Sequence, residues 1–201
     1  MDELVDRLIE AGVLKTEGII DAFRTIDRVH FVPEESAPFA HIDRPIHIGF
    51  QQTISQPTTV AFMLELLRVE PGEHVLDIGA GSGWTSALLG HIVGSKGSVL
   101  GVERVDELVE FGKKNIAPYN MSHVRIEKAG TELGKPKEAP FDKILVSASA
   151  RAFPQELLLQ LREGGTMVLP VRDAIQKVVR FEHQPIIETF EGYIFVPLIT
   201  P

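Results

Sequence analysis

The sequence predicts an α/β fold, with a mostly parallel central sheet flanked by helices, a helical N-terminal extension and an antiparallel C-terminal hairpin. From residue 73 onward, short apolar runs alternate with amphipathic segments, which is typical of parallel strands joined by helical crossovers. A glycine-rich turn joins the first of these runs to the segment that follows it. Near the end of the chain, two strand-like segments follow each other without a helix between them.

The first 70 residues carry mostly helical patterns, including one over 58–67 that ends at Pro71-Gly72. The stretch 31–53 is rich in Pro, His and Gly and is expected to be irregular. At 201 residues the chain is expected to form a single domain. In that domain, residues 1–70 cover the functional site and residues 71–201 form the core.

Apolar runs place the parallel strands of the core, and helical spacing places the segments between them. We expect strands over 74–78, 98–103, 123–128, 143–147 and 165–170. We expect helices near 83–93, 105–117 and 154–162. The final hairpin is predicted from 175–182 and 188–197, and Gly192 inside its second strand would mark a bulge.

The amino-acid composition argues against several classes of function. The 28 acidic residues exceed the 20 basic ones, so no sequence-independent binding to nucleic acid is expected. With no cysteine there is neither a thiolate metal site nor a cysteine nucleophile, and the seven histidines lack metal-like spacing, so no metal is expected. No apolar run of about 18 residues is present, so we expect no membrane span and a cytoplasmic location.

The glycine-rich turn is the most informative segment of the chain. Residues 75–78 form an apolar strand that contains Asp77, and Gly79, Gly81 and Gly83 follow before a helical pattern begins. Such a turn lets a ligand approach the backbone next to the positive end of a helix. The next strand ends in Glu103, whose carboxylate can accept both hydroxyls of a ribose. These features predict a site for a nucleoside cofactor.

The glycine spacing indicates which cofactor binds. A dinucleotide site needs G-x-G-x-x-G, but here Trp84 stands where the third glycine would fall. Asp77 would repel a pyrophosphate, whereas it suits a ligand that carries an ammonium and a sulfonium, such as S-adenosylmethionine. An ordinary glycine turn without a ligand is the less favoured alternative, because acids stand both before and after it.

Four segments carry a resemblance to a known family. They are Phe31-Val32-Pro33; the run Gly-Phe-Gln-Gln-Thr-Ile-Ser-Gln-Pro at 49–57; the glycine turn at 75–83; and the later runs at 139–144, 160–165, 169–171 and 195–198. Over essentially its whole length the chain resembles the protein-L-isoaspartate (D-aspartate) O-methyltransferases. The resemblance implies a Rossmann-like S-adenosylmethionine-dependent methyltransferase fold. It also implies methyl transfer to the α-carboxylate of L-isoaspartyl and D-aspartyl residues in damaged proteins, which starts repair through a succinimide.

The resemblance also implies roles for individual residues. Ser55 matches the family's active-site serine, whose hydroxyl orients the acceptor carboxylate. The alternative is that Ser55 caps a helix that begins near Pro57. The residues expected at the cofactor are Gln52, Thr53, Ile54, Ser55, Asp77, Gly79, Gly81, Ser82, Gly83, Glu103, Arg104, Gly130 and Thr131. Those expected at the substrate are Ser55, Ser147, Ala148, Ser149, Val196 and Pro197.

The chemistry of a carboxylate acceptor fits what the sequence contains. A carboxylate with a pKa of about 4 is already ionised at neutral pH and needs no base. Gly130 stands where the family has an acid near the adenine, so backbone groups of Gly130 and Thr131, or the Glu132 side chain, are expected to serve there. Two alternatives stay open: a related methyltransferase for another carboxylate, and a cofactor-binding relative without catalysis. The acceptor is expected to bind in extended form, with residues 39–49 folded over it.

Overall fold

The structure is a computed structural model that describes residues 1–199. The helices are α1 (Asp2–Glu10), α2 (Glu17–Thr25), α3 (Pro57–Leu67), α4 (Trp84–Val93), α5 (Asp106–Ile116) and α6 (Gln155–Leu158). The strands are β1 (Ile46–Gly49), β2 (Gln52–Ile54), β3 (His74–Ile78), β4 (Ser98–Glu103), β5 (Val124–Lys128), β6 (Phe141–Val146), β7 (Leu161–Val171), β8 (Ala174–Val179) and β9 (Ile186–Glu191).

The central sheet has seven strands in the order β5-β4-β3-β6-β7-β8-β9. Strands β5, β4, β3, β6 and β7 run parallel, whereas β8 pairs antiparallel with β7 and β9 antiparallel with β8. The chain adds β4 and β5 on one side of β3 and then crosses over to β6 on its other side, so the strand order switches at β3. This is the position at which open parallel sheets bind ligands, beyond the carboxyl ends of the strands.

The two faces of the sheet are covered unequally. Alternate strand residues such as Val75 and Val99 join one apolar cluster with side chains from α1 to α5. The other residues, such as Leu76 and Leu100, pack with Leu157 of α6 and with loop residues in a second cluster. The predicted α/β fold with a mostly parallel sheet and flanking helices is confirmed. Because the first cluster includes the N-terminal helices, residues 1–70 share the core of the sheet.

Three of the predicted elements have wrong bounds, all of them in the last third of the chain. The helix predicted over 154–162 is a single turn, α6, and β7 begins at Leu161 rather than at residue 165. Leu161 is fully buried opposite Phe141 of β6, so core packing overrides the helical spacing of the leucines. The second hairpin strand, predicted over 188–197, spans only Ile186–Glu191, and Gly192 lies beyond it with a φ of +93°.

The antiparallel C-terminal hairpin itself is confirmed as β8 and β9. After it, residues 193–199 return across the carboxyl end of the sheet. The Ser149 amide donates to the carbonyl of Val196 at 2.7 Å, and the Leu198 amide donates to the carbonyl of Ser149 at 2.8 Å. This segment therefore forms one wall of the cleft described below.

The stretch 31–53 is more regular than expected. It contains the hairpin of β1 and β2, whose turn residues Phe50 and Gln51 have φ values of 52° and 59°. This hairpin lies over the glycine turn, because a Cβ on Gly81 would be 3.4 Å from Ile48 Cδ1. Within residues 1–199, no helix has the length and apolar character that a membrane crossing would need.

Candidate functional site

A cleft opens at the carboxyl ends of β3, β4, β5 and β6, and three connected pockets form it. The inner pocket lies between the glycine turn and residues 52–55. The side pocket, with a volume of about 480 Å³, lies along residues 128–134 and joins the inner pocket at Gln52, Gly79, Glu103 and Ala148. The outer pocket continues from the inner pocket past Ser55 and Ser147 to Phe195.

The glycine turn is held in a backbone form that other residues rarely adopt. Gly79, Gly81 and Gly83 have φ values of 81°, 52° and 89°. A Cβ on Gly83 would lie 3.1 Å from the carbonyl oxygen of Gly112 in α5, so the turn packs directly on that helix. Asn115 of α5 also donates its Nδ2 to the Ser82 carbonyl at 3.0 Å. The turn is thus fixed from behind, and its front faces the inner pocket.

Asp77 lies beneath the inner pocket and does not line it. Its Oδ2 accepts hydrogen bonds from the hydroxyls of Thr85, at 2.7 Å, and Ser86, at 2.6 Å, while its Oδ1 is buried without a partner. Burial raises the pKa of Asp77 to about 6; the two hydroxyls lower this pKa and Glu103 raises it further. Thr85 does line the inner pocket, so Asp77 acts on that pocket through Thr85 and through its field.

Glu103 lies where the inner and side pockets meet, and backbone amides hold its carboxylate. Oε2 accepts from the Gly81 amide at 3.0 Å, and Oε1 accepts from the amides of Arg104 and Val105 at 2.7 and 2.9 Å. A carboxylate has about four acceptor sites, so one remains open, on Oε2. For Glu103 to accept both hydroxyls of a ribose, one of these three amides must give up its hydrogen bond to the carboxylate.

The side pocket continues from Glu103 to the end of β5. Its walls include Arg104, Gly130, Thr131 and Glu132, together with apolar atoms of Ile78 and Val102. The Lys128 Nζ donates to the Arg104 carbonyl at 2.5 Å and pairs with Asp106 at 2.8 Å. A flat aromatic base fits such a pocket, which is apolar below and lined by polar groups along one edge.

Ser55 does not cap α3. The helix has Gln56 as its N-cap without a side-chain hydrogen bond. Asp43 supplies the cap instead, with its Oδ1 accepting from the Thr58 amide at 2.8 Å and its Oδ2 accepting from the Thr58 hydroxyl at 2.5 Å. Among residues 1–199 the Ser55 hydroxyl has no hydrogen-bond partner, and Ser55 lines both the inner and the outer pocket. The structure thus leaves this hydroxyl available to a ligand.

Arg28 organises the segment that carries Ser55, and the sequence analysis did not identify it. Its guanidinium is fully buried and donates to the carbonyls of Ser55 and Arg44 at 3.0 Å and of Ala40 at 2.7 Å. It also lies over the Trp84 ring, with its Cζ 5.4 Å from the ring centroid. Burial lowers the pKa of Arg28 to about 10, so it stays charged at neutral pH. One cation therefore connects the Ser55 segment to the helix after the glycine turn.

The residues after β6 divide between the cleft and its surroundings. Ser147 lines the inner and outer pockets, and Ala148 lines the inner and side pockets. Ser149 lies outside all three, because its hydroxyl donates to the Arg172 carbonyl at 2.8 Å and its backbone pairs with residues 196–198. The backbone N–H and C=O of Ser149 therefore both have partners within the chain, and a contact of Ser149 with the acceptor stays a prediction.

Most of the predicted site residues lie together in the cleft. The predicted residues that line it are Gln52, Thr53, Ile54, Ser55, Gly79, Gly81, Ser82, Glu103, Arg104, Gly130, Thr131, Ser147, Ala148, Val196 and Pro197. Asp77 and Gly83 support it from below, and Ser149 lies beside it. Four further residues support the site without a clear sequence pattern: Arg28, Asp43, Gly112 and Asn115. Among them only Gly112, a glycine inside a helical pattern, indicates close packing. No group of three His, Cys, Asp or Glu side chains suited to a metal occurs within the described 199 residues.

Comparison with known proteins agrees with this geometry. The family model described as protein-L-isoaspartate (D-aspartate) O-methyltransferase matches residues 1–200. The protein-L-isoaspartate O-methyltransferase of Methanothrix thermoacetophila is 42% identical, covering 96% of this chain and 94% of its own length. That of Ignicoccus hospitalis is 38% identical, covering 98% and 96%.

A solved structure is similar over the same extent. A Plasmodium falciparum protein assigned to the same enzyme class, crystallised with S-adenosyl-L-homocysteine, has a TM-score of 0.88 and 26% identity. The match covers 99% of this chain and 98% of that one. The resemblance found in the sequence is thereby confirmed. This chain belongs to the protein-L-isoaspartate (D-aspartate) O-methyltransferase family.

Proposed function

We propose that this protein transfers a methyl group from S-adenosylmethionine to the α-carboxylate of L-isoaspartyl and D-aspartyl residues in damaged proteins. Its membership of the family supports protein carboxyl methylation with this cofactor. The observation in the structure that carries the proposal is the Ser55 hydroxyl, which has no hydrogen-bond partner among residues 1–199 and lies where the inner and outer pockets meet. A group at this point can hold an acceptor that enters from solvent against a donor bound at the glycine turn.

The residues of the inner and side pockets fit the cofactor. Three glycines with positive φ let it approach the backbone, the open site on Glu103 Oε2 accepts a ribose hydroxyl, and the side pocket takes the adenine. The negative field of Asp77 and Glu103 favours a cationic amino-acid end. When bound, S-adenosylmethionine supplies a methyl group activated by the sulfonium. Gly130, Thr131 and Glu132, which line the side pocket, would contact the adenine in place of the family's acid.

The residues of the acceptor side suit a nucleophile that is already charged. No histidine among residues 1–199 lines the three pockets, and a carboxylate needs no base to ionise it. The task left to the protein is to hold the acceptor oxygen in line, and positioning of this kind can contribute several kcal/mol. We assign this task to the Ser55 hydroxyl, with Ser147, Ala148, Val196 and Pro197 as further contacts.

We further propose that the whole chain works as a single methyltransferase domain. The N-terminal helices share the sheet's apolar cluster, and Ile48 and residues 52–55 form the wall of the inner pocket opposite the glycine turn. Residues 1–70 then complete the site that residues 71–201 begin. The cytoplasmic location and the absence of nucleic-acid, membrane and metal partners stay predictions from the sequence.

The proposal is tested by methylation of matched peptides. We expect transfer of label from S-adenosylmethionine to an L-isoaspartyl peptide and none to the peptide with ordinary aspartate in its place. Faster methylation of free carboxylic metabolites than of any isoaspartyl peptide would favour the related carboxylate methyltransferase. Cofactor binding without transfer to any acceptor would indicate the non-catalytic relative.

The cofactor assignment has its own test. Replacing Glu103 by alanine removes the acceptor of the ribose hydroxyl and leaves three amides without their partner. We expect cofactor affinity to fall by about 1–3 kcal/mol, the range for hydrogen bonds to a charged group. Calorimetry measures this, with Glu107→Ala as the matched variant: Glu107 is an exposed acid of α5 that lines none of the three pockets, so the wild-type affinity is expected. Unchanged affinity of the Glu103 variant would refute the ribose assignment.

A further inference from the structure

We propose that Arg151 and Arg172 form a subsite that binds a carboxylate side chain of the acceptor chain, next to the residue that is methylated. This inference rests on the proposed function. Arg151 and Arg172 line a groove of about 410 Å³ together with Ser149, Ala150, Phe195 and Pro197. The groove shares Phe195 with the outer pocket and Pro197 with the side pocket. An acceptor chain that leaves the outer pocket past Phe195 reaches it directly.

The groove is firmly built although its arginines are exposed. The Arg172 amide donates to the Ala150 carbonyl at 2.9 Å, and the Arg172 carbonyl accepts from the Ser149 hydroxyl at 2.8 Å. The Arg172 Nε also donates to the Arg151 carbonyl at 3.3 Å. Ser149, which the sequence analysis placed at the substrate, therefore fixes the backbone of Arg172.

Arg172 is the first residue of the two-residue turn that joins β7 to β8, and this turn fixes the position of its backbone. Its φ of +56° lies in the left-handed region, where glycine or asparagine is favoured and an arginine is strained. Residues held in such conformations concentrate at ligand-binding sites, because the surrounding contacts must offset the strain. Here those contacts come from Ser149 and Ala150, directly after the strand that leads to Ser147.

The charges of the groove indicate an anionic ligand. The protein carries a net charge of −8, yet neither Arg151 nor Arg172 pairs with a carboxylate of residues 1–199 within 4.0 Å. Asp173 follows Arg172 in the turn and is also outside that distance. A guanidinium matches a carboxylate in planar, two-bond geometry, and two arginines that line one groove favour a Glu or Asp side chain. Acidic flanking residues are therefore the preferred context of the damaged site.

The experiment compares one isoaspartyl peptide in three forms, with Glu, Gln or Lys at a neighbouring position, placed in turn on each side of the isoaspartyl residue. For the wild-type protein we expect kcat/KM to be about two- to fivefold higher for Glu than for Gln, and lowest for Lys. In the double variant Arg151→Gln, Arg172→Gln, the ratio of kcat/KM for the Glu peptide to kcat/KM for the Gln peptide should fall to about one. Lys96→Gln, which removes one exposed positive charge at the opposite end of the sheet, should keep the wild-type ratio.

The alternative outcomes separate this inference from the proposed function. An equal loss of rate for all three peptides in the double variant would mean that the arginines hold the acceptor carboxylate itself, which would overturn the subsite. A preference for Glu that survives in the double variant would overturn it as well. If no peptide is methylated, the proposed function fails. In that case, fluorescence anisotropy of the labelled Glu and Gln peptides tests the subsite. Tighter binding of the Glu peptide to the wild type but not to the double variant supports the subsite, and equal binding of the two peptides to the wild type overturns it.

Discussion

The two halves of the cleft are stabilised by different kinds of contacts. The cofactor half is formed by residues 79–83, Glu103 and residues 129–134, and most of its stabilising contacts involve backbone groups. The glycine turn packs directly on α5, and three backbone amides donate to the Glu103 carboxylate. In the acceptor half, formed by residues 53–55, Ser147 and residues 194–197, the wall depends on a few side chains. The Arg28 guanidinium binds the Ser55 carbonyl from one side, and Asp43 caps the helix that follows.

This difference has a consequence for how mutations act. A site made of backbone geometry tolerates most side-chain changes, because the hydrogen bonds do not depend on them. The wall of the acceptor half depends on the Arg28 guanidinium and on the Asp43 cap, so it is lost when either is removed. We therefore expect cofactor binding to be robust and acceptor positioning to be fragile, and the following variants test this contrast from the largest effect to the smallest.

The largest effect is expected for Arg28→Lys. Lysine keeps the charge but cannot reach the carbonyls of Ala40, Arg44 and Ser55 together, so buried carbonyls lose their partners. We expect the free energy of unfolding to fall by about 2–4 kcal/mol. We also expect kcat to fall by more than the cofactor affinity. Urea unfolding, calorimetry and steady-state rates of the folded variant measure these quantities. Lower stability with an unchanged kcat would mean that Arg28 only stabilises the fold.

Asp77→Asn tests the charge beneath the cofactor half. The folded-state pKa of Asp77 is about 6, above its ordinary value of 3.8. The folded protein therefore holds this proton more tightly than the unfolded chain, and its contribution to stability is complete below pH of about 4 and lost as pH rises through about 6. We expect the asparagine variant to be about 2–3 kcal/mol more stable than the wild type at pH 7, with little difference near pH 4.

The same variant should bind the cofactor less well, because the field that favours a cation is gone. Thermal unfolding with and without S-adenosylmethionine measures both effects, and the rise in Tm on adding it should be smaller for the variant. Equal stability of the two proteins at pH 7 would show that burial does not raise the pKa of Asp77 in the folded state.

Ser55→Ala separates the two halves most directly. The hydroxyl has no partner among residues 1–199, so its loss should leave the Tm and the cofactor affinity unchanged. Losing one orienting hydrogen bond to a charged acceptor should lower kcat about tenfold to a hundredfold, from a cost of about 1.5–3 kcal/mol. The rate of both proteins should be flat between about pH 6 and 8, since the acceptor is ionised throughout.

Asp43→Ala is the companion variant to Ser55→Ala, because it loosens the wall around Ser55 and keeps the serine hydroxyl. It removes the cap of α3 and should lower stability by about 1 kcal/mol. A Ser55→Ala protein with full turnover and a lower Tm would assign the serine to the fold. A steep rise of the rate with pH that disappears on replacing one histidine would indicate a base.

The two halves also differ in how well the sequence predicts them. The glycine turn, Asp77 and Glu103 follow one another along two strands and a helix start, so local pattern places them at the same edge of the sheet. Arg28 contacts the carbonyl of a residue 27 positions away, and Asp43 caps a helix 15 positions away. No periodicity encodes such contacts, because they depend on the path of residues 31–55. For the same reason the one-turn helix α6 and the start of β7 were misplaced: burial of Leu161 against Phe141, and not helical spacing, decides them.

The smallest effect is expected for Gly112→Ala in α5, which probes the support behind the glycine turn. Alanine favours a helix over glycine by about 1 kcal/mol, and Gly18→Ala in α2, where a Cβ meets nothing within 4 Å, should show that gain. At Gly112 a Cβ would lie 2.7 Å from Ile126 Cδ1 and 3.1 Å from the Gly81 carbonyl oxygen. The isoleucine can rotate away, but the carbonyl belongs to the turn and must move. We therefore expect Gly112→Ala to cost about 1 kcal/mol of stability and to weaken cofactor binding about fivefold. Calorimetry and urea unfolding of the two alanine variants measure the difference. If Gly112→Ala gains as much stability as Gly18→Ala and binds the cofactor equally well, the cofactor half does not depend on this contact with α5.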